Sequence, residues 1–102
     1  MHPALSAHRA AVAALCRLSG VKRLELFGSA ARDDFDPWHS DFDFLVEFDD
    51  SDHGDPLQNY FGLKEALERL LGRPVDLVMP AAVKNPYILA SINRDRQLVY
   101  GP

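Results

Sequence analysis

The sequence predicts an α/β fold in which helices cover a sheet of about four strands. Segments with apolar residues at helical spacing alternate along the chain with short apolar runs typical of buried strands. Glycine and proline residues separate most of these segments. Hydrophobic residues make up 47% of the 102 residues, which suits one compact core. We therefore expect residues 1–102 to form a single small domain.

The first part of the chain is predicted to contain a helix, a strand and a short helix. PALSAHRAAVAALCRLSG is rich in Ala, Leu and Arg, and it ends in a glycine, a residue that often terminates helices. VKRLELFG follows as a strand that also ends in a glycine. SAARDDF can form a short helix with Ser29 near its N-cap. DPWH is predicted to be a turn because its proline cannot continue a helix.

The clearest strand is DFDFLVEF. Its side chains alternate between the two faces of the sheet. One face carries only apolar residues, namely Phe42, Phe44, Val46 and Phe48. The other face carries Asp41, Asp43, Leu45 and Glu47. Two carboxylates about 7 Å apart along one strand are unusual in a segment that should be buried, because they repel each other and lose hydration.

The second half of the chain continues the alternation of helices and strands. DDSDHGDP is a polar loop, and LQNYFGLKEALERLLG is a strongly amphipathic helix. The predicted inner face of this helix consists of Leu57, Tyr60, Phe61, Leu63, Leu67, Leu70 and Leu71. The chain then continues with an apolar strand, a helix and a final strand, which are PVDLVMP, NPYILASINRDR and QLVY.

Three carboxylates are out of place in an ordinary core: Asp41, Asp43 and Asp76. Asp76 is flanked by Val75 and Leu77, so its strand is expected to be buried. Few basic residues lie close to these acids in the sequence. A divalent cation is the simplest partner, because Mg²⁺ prefers oxygen ligands and often combines one or two carboxylates with substrate phosphates.

The pair Gly28-Ser29 lies where a strand is predicted to turn into a helix. Backbone N–H groups at such a turn can face a phosphate. The glycine removes the side chain that would block a close approach, and Ser29 adds a hydroxyl donor. One end of the sheet would then combine a phosphate site with a metal site. These features suit phosphoryl or nucleotidyl transfer, where catalysis is mostly positioning and charge neutralisation.

The stretch LFGSAARDDFDPWHSDFDFLVEF resembles the signature of the DNA polymerase β-like nucleotidyltransferase superfamily: Gly-Ser, a spacer, Asp-x-Asp, and a third Asp on a later strand. LKEALERLLGRPVDLV is similar to the segment with the third Asp in minimal nucleotidyltransferases (MNT), which are antitoxins of HEPN-domain toxins. The resemblance is close over residues 21–78 and implies one nucleotidyltransferase domain with a mixed sheet. The spacer between Ser29 and Asp41 has eleven residues, one more than usual, and the departure removes no ligand.

The resemblance also implies a role for each site residue. Gly28 and Ser29 would bind the triphosphate, and Arg32 would support this loop or contact a phosphate. Asp76 would help to activate the attacking hydroxyl in addition to binding metal. The ligands of two Mg²⁺ ions would be three carboxylates, Asp41, Asp43 and Asp76.

For the whole protein, the resemblance implies an enzyme that adenylylates another protein. ATP would donate AMP to a hydroxyl, expected to be that of a tyrosine, on a cognate HEPN-domain ribonuclease toxin, which would thereby be neutralised. An alternative is an antitoxin that binds and occludes the toxin without essential catalysis. The three acids favour catalysis, because a binding module does not need them. A free-standing transferase that acts on a small molecule is a weaker alternative.

The composition and charge of the chain indicate which partners and which compartment to expect. The net charge is −4 and no basic stripe is visible, so direct binding of nucleic acid is not expected. Cys16 is the single cysteine and lies among apolar residues, so we expect a small buried hydrophobe in a reducing compartment. No segment approaches the ~20 apolar residues of a membrane span. We therefore expect a soluble, cytoplasmic protein.

Three features close to the site residues in the sequence have ordinary explanations. DDSDHGD resembles a calcium loop, but the twelfth position is Tyr60 rather than Glu, so a solvated loop is favoured. Trp38 is expected either to cover the core or to be an exposed contact residue. His39 is expected to have at most a minor role at the mouth of the site.

Overall fold

The computed structural model describes residues 2–32, 34, 36, 40–49 and 54–101. It confirms the predicted α/β class, with helices packed on a mixed four-stranded sheet. A short 3-10 turn follows the third strand, where the sequence predicts no regular structure. In chain order the elements are α1 (Pro3–Ala7), α2 (Arg9–Leu18), β1 (Val21–Phe27), α3 (Ser29–Arg32), β2 (Phe42–Phe48), α4 (Pro56–Leu71), β3 (Val75–Val78), the 3-10 turn (Pro80–Ala82), α5 (Pro86–Asp95) and β4 (Gln97–Tyr100).

The order of strands in the sheet is β3-β2-β1-β4. β1 is antiparallel to both of its neighbours, whereas β2 and β3 are parallel. A parallel pair needs a crossover connection, and the long helix α4 provides it. The beginnings of β2 and β3 therefore lie at the same end of the sheet, beside the end of β1.

The hydrophobic core lies between one face of the sheet and helices α2 and α4. The alternation predicted for β2 is confirmed there, because Phe42, Phe44 and Val46 are all buried in this core. Cys16 of α2 is buried as predicted. Burial raises the pKa of its thiol to about 12, so that the group stays protonated at neutral pH and is a poor nucleophile.

The prediction of one continuous N-terminal helix is wrong, because the structure has two helices separated at His8. His8 has φ −111° and ψ 19°, and its N–H donates to the carbonyl of Ala4. Contacts outside the helix hold α1 in place: the ring of His2 packs edge-on against Phe42 with centroids 5.0 Å apart, and Leu5 is fully buried. The local sequence pattern does not reveal these contacts, because His2 and Phe42 are far apart in the chain.

Two expectations about the acidic residues also need correction. β2 begins at Phe42, so Asp41 lies just before the strand rather than within it. Asp76 is exposed although its neighbours Val75 and Leu77 are buried. The reason is that β3 is an edge strand whose alternate side chains point away from the core.

The first turns of α4 differ from the prediction. Leu57 and Phe61 belong to the predicted inner face, but both are exposed and line a cleft of about 210 Å³ together with Phe48 and Met79. The fully buried residues of α4 are Leu63 and Leu67, which follow these turns. The cleft separates the beginning of the helix from the end of the sheet.

Parts of two predicted loops lie outside the described residues. They are 37–39, with Trp38 and His39, and 50–53, the centre of the calcium-like loop. Within the part of the chain that the structure describes, none of the helices has the length and apolar character needed to cross a membrane.

Leu67→Ala should lower the free energy of unfolding by about 2–5 kcal/mol, because it creates a cavity at a fully buried position. Leu18→Ala is the matched control, since Leu18 is 80% exposed at the end of α2. The same truncation there should change the free energy of unfolding by less than about 0.5 kcal/mol. Urea denaturation measures both values, and equal losses would contradict the assignment of Leu67 to the core.

Candidate active site

The predicted site residues meet at one end of the sheet. In the strand register, Phe27 of β1 lies opposite Asp43 of β2, and Asp43 lies opposite Asp76 of β3. Residues paired in this way point to the same face, and neighbouring strands are only about 4.8 Å apart. Gly28 directly follows Phe27, so the Gly-Ser turn lies at the end of the same row. We call Gly28, Asp43 and Asp76, together with the adjacent Ser29 and Asp41, the acidic row.

Asp43 is the electrostatic centre of the acidic row. Burial raises the pKa of its carboxyl to about 6, and the negative charges of Asp76 and Asp41 act in the same direction. The guanidinium of Arg32 partly opposes them and lowers the pKa. The structure therefore brings Asp41, Asp43 and Asp76 close enough for their charges to interact, with the guanidinium of Arg32 nearby.

Gly28 makes the close approach of the turn to Asp43 possible. Its φ is +76°, a left-handed conformation that favours glycine. A Cβ atom added at this position would lie only 2.5 Å from Oδ2 of Asp43. The backbone of Gly28 is therefore packed directly against the carboxylate, and no larger residue fits without a shift of one of the two.

Ser29 and Arg32 lie at the two ends of the short helix α3, which follows the turn. Ser29 is the first residue of the helix. Arg32 is held at the other end, where Nη1 lies 3.2 Å from Oδ2 of Asp95 and Nε lies 3.4 Å from Oδ2 of Asp34. The pair with Asp95 links α3 to α5, and the support of the Gly-Ser loop by Arg32 stays a prediction. Contact of Ser29 or Arg32 with phosphate stays a prediction.

Sequence reasoning missed Arg73 and Ser40. Arg73 lies in the loop between α4 and β3, and its Nε and Nη2 atoms donate to the carbonyl oxygen of Ser40 at 3.1 and 2.6 Å. Nη2 is also 4.0 Å from Oδ1 of Asp41. The only sequence signal is the position of Arg73 three residues before Asp76, and nothing in that spacing predicts a contact with Ser40.

The acidic row fits a cation that is also bound by a substrate, rather than a closed metal centre. Among the described residues, no three His, Cys, Asp or Glu side chains form a group that could hold a metal ion by themselves. Asp41 and Asp76 are exposed, and Asp43 is partly buried. These are hard oxygen donors, and Mg²⁺ usually combines one or two such carboxylates with water and phosphate oxygens. Gly28 has no side chain that would keep a substrate phosphate away from the turn beside these carboxylates.

Together the fold and the acidic row define a class of enzyme. Carboxylates grouped beside a Gly-Ser turn at one end of an α/β sheet suit the transfer of a phosphoryl or nucleotidyl group. The chain matches the nucleotidyltransferase domain family over residues 8–99. It belongs to this family and is a nucleotidyltransferase.

Known relatives and structures agree with this assignment. A protein of Methanocaldococcus jannaschii, whose assignment as a protein adenylyltransferase is itself inferred, is 41% identical over 80 residues, which cover 78% of this chain and 76% of that protein. A solved structure assigned as a minimal nucleotidyltransferase is 37% identical, covers 95% of both chains and has a TM-score of 0.74. These findings confirm the predicted superfamily and the mixed α/β sheet.

A more distant match shows the fold alone. A chain in the solved complex of a tri-AMPylated Shewanella oneidensis HEPN toxin with MNT antitoxin is 19% identical. The match covers 96% of this chain and 73% of that chain, with a TM-score of 0.64. The fold of this protein therefore also occurs in a toxin–antitoxin complex.

Asp43→Asn should stabilise the metal-free protein at pH 7.5 but not at pH 3.5. The folded protein holds the proton of Asp43 more tightly than the unfolded chain, so this carboxyl contributes stability below pH 3.8 that is lost as the pH rises through about 6. Asparagine does not ionise, so the variant does not lose this stability as the pH rises. In EDTA at pH 7.5 we expect the free energy of unfolding to rise by about 1 kcal/mol, after allowance for solvent screening. The melting temperature should therefore rise by roughly 4–8 °C.

The matched control for Asp43→Asn is Glu65→Gln, which removes one exposed negative charge from α4. It should change the melting temperature by less than about 2 °C at either pH. A fall in the melting temperature of Asp43→Asn at pH 7.5 would show that the carboxylate has a structural role instead.

Gly28→Ala should destabilise the protein more than Gly72→Ala. Both glycines have a left-handed φ, of +76° and +70°, so alanine costs about 1–2 kcal/mol at either position. At Gly72 nothing lies within 4 Å of an added Cβ, whereas at Gly28 the carboxylate of Asp43 is in the way. The additional cost at Gly28 should be about 1–3 kcal/mol. Urea denaturation provides the comparison, and equal costs would contradict the close contact.

Proposed function

We propose that this protein is an antitoxin that transfers AMP from ATP to a hydroxyl of a cognate HEPN-domain ribonuclease toxin and thereby neutralises it. The proposed acceptor residue is a tyrosine of the toxin. Residues 1–102 act as one nucleotidyltransferase domain in the cytoplasm, where the free thiol of Cys16 stays reduced. The observation that carries the proposal is the acidic row, in which two carboxylates in register lie beside a glycine turn.

The residues of the acidic row have complementary roles in this reaction. Gly28 and Ser29 bind the triphosphate, and Asp41 and Asp43 bind Mg²⁺ together with Asp76. When bound, Mg²⁺ supplies positive charge to the phosphate oxygens. Arg32 contributes a further positive charge near Asp43.

The transfer itself is an in-line displacement. The toxin hydroxyl oxygen forms a bond to the α-phosphorus while the bond from this phosphorus to the bridging oxygen of the β-phosphate breaks, and pyrophosphate leaves. The hydroxyl proton passes to the carboxylate of Asp76. Asp76 suits this role because it is exposed next to Asp43, where an acceptor on another protein can reach it.

Two comparisons support the choice of a protein acceptor. The Methanocaldococcus jannaschii relative is assigned as a protein adenylyltransferase, and its similarity extends over most of both chains. The Shewanella oneidensis complex contains a HEPN toxin that is itself AMPylated. The openness of the acidic row also favours a large acceptor, since Asp41 is 51% exposed in its side chain.

Incubation of the protein with its toxin, Mg²⁺ and labelled ATP tests the proposal. Label in the α-phosphate should appear on the toxin, whereas label in the γ-phosphate should not, because pyrophosphate leaves. Asp43→Ala and Asp41→Ala should lower the rate by about 10²-fold or more. Glu65→Gln, which changes an exposed residue of α4, should transfer AMP at the normal rate.

The same experiment decides between catalysis and occlusion. If the toxin is fully inhibited while it carries no label, the protein is an antitoxin that acts by binding alone. If γ-phosphate label appears instead, the enzyme transfers a phosphoryl group and the proposed adenylylation is wrong. Addition of EDTA should abolish the transfer of α-phosphate label if the acidic row works with Mg²⁺.

A further inference from the structure

The side chain of Arg73 joins two segments that are far apart in the sequence. Arg73 lies in the loop that leads into β3, and Ser40 lies just before β2. The guanidinium donates two hydrogen bonds to one carbonyl, from Nε at 3.1 Å and from Nη2 at 2.6 Å. Arg73 is 26% exposed in its side chain, so this contact is largely shielded from water. Charge-assisted bonds of this kind are stronger than neutral ones.

Ser40 is also held from its other side. Its N–H donates to the carbonyl of Asp36 at 2.9 Å. Its hydroxyl accepts a hydrogen bond from the N–H of Asp36, also at 2.9 Å. Together with the bonds from Arg73, these contacts use the N–H, the hydroxyl and the carbonyl of Ser40. The backbone that enters Asp41 is therefore held at this residue.

The backbone that leaves Asp41 is held as well. The N–H of Phe42 donates to the carbonyl of Pro74 at 3.0 Å. Arg73 and Pro74 thus hold the residues before and after Asp41, which precedes the first residue of β2. Asp41 itself has an exposed side chain. Its carboxylate consequently depends on its backbone neighbours, rather than on burial, for a defined position.

We infer that Arg73 is a positioning residue, which fixes the carboxylate of Asp41 for cation binding through its two hydrogen bonds to the carbonyl of Ser40. This inference rests on the proposed function, in which Asp41 is a ligand of Mg²⁺. The distance of 4.0 Å between Nη2 of Arg73 and Oδ1 of Asp41 is too long for a hydrogen bond. Arg73 therefore acts on Asp41 through Ser40.

A purely electrostatic role of Arg73 would have the opposite effect. A positive charge near Asp41 repels a cation, so its removal by Arg73→Ala would strengthen metal binding. Loss of positioning would weaken metal binding instead. Arg73→Lys separates the two roles further, because lysine keeps the charge but does not have the planar fork that donates two bonds to one oxygen.

The experiment measures the binding of Mn²⁺ to the full chain with a non-hydrolysable ATP analogue, by the electron paramagnetic resonance of the free ion, and the Mn²⁺ that the analogue binds without protein is subtracted. Arg73→Ala and Arg73→Lys should both bind Mn²⁺ about 10-fold more weakly than the unchanged protein, as expected for residues that orient metal ligands. Arg69→Ala is the matched control, since Arg69 is an exposed arginine in the last turn of α4. It should bind Mn²⁺ normally.

A second readout is the Mg²⁺ concentration that gives half of the maximal transfer rate. It should rise about 10-fold in both Arg73 variants and stay unchanged in Arg69→Ala. The melting temperature of each variant shows that it is folded under the conditions used. If Arg73→Ala does not fold, Arg73→Lys alone decides, because it retains the charge and the aliphatic part of the side chain.

Each outcome has a definite meaning. Normal or tighter Mn²⁺ binding by both Arg73 variants would overturn the positioning role while leaving the proposed function intact. If the unchanged protein with the ATP analogue binds no Mn²⁺ beyond that held by the analogue, or if Asp41→Ala binds it as well as the unchanged protein does, the proposed metal site is wrong and the role of Arg73 fails with it.

Discussion

The crowding of negative charge around Asp43 is the constraint on which the functional end of this protein depends. Burial and the neighbouring carboxylates raise the pKa of Asp43 to about 6, because the ionised carboxylate loses hydration on burial and its negative charge lies beside those of Asp76 and Asp41. Arg32 offers only partial relief, because Asp34 and Asp95 already share its charge. A fold that keeps these acids together, without a matching number of basic residues in the described part of the chain, is suited to bind a cationic ligand.

Contacts between α4, β2 and β3 hold the acidic row together. The parallel pairing of β2 with β3 depends on the crossover through α4, which places Asp76 opposite Asp43. The end of α4 also holds β3 directly, because Oε2 of Glu68 accepts a hydrogen bond from the N–H of Val75 at 3.0 Å. Arg73, which follows α4, donates a hydrogen bond to the carbonyl of Ser40 just before the start of β2. The segment between α4 and β3 therefore connects the packing of the helix to the geometry of the site.

The location of the acidic row also explains how a small domain can act on another protein. The row is on the side of the sheet that faces away from the core formed by α2 and α4. Asp41 and Asp76 are exposed there, so a hydroxyl on a second protein can approach without an opening of the fold. The hydrophobic core and the site thus occupy opposite faces of the sheet, and the site can carry unfavourable charge without disrupting the core.

The order of most helices and strands, the core-facing residues of β2 and the three acids of the site could all be predicted from the sequence. These features depend on local periodicity and on residue chemistry, which can be read along the chain. The break at His8, the exposure of Asp76 and the contact of Arg73 with Ser40 are visible only in the folded chain. Each of these depends on which distant segments become neighbours, and no short stretch of sequence contains that information.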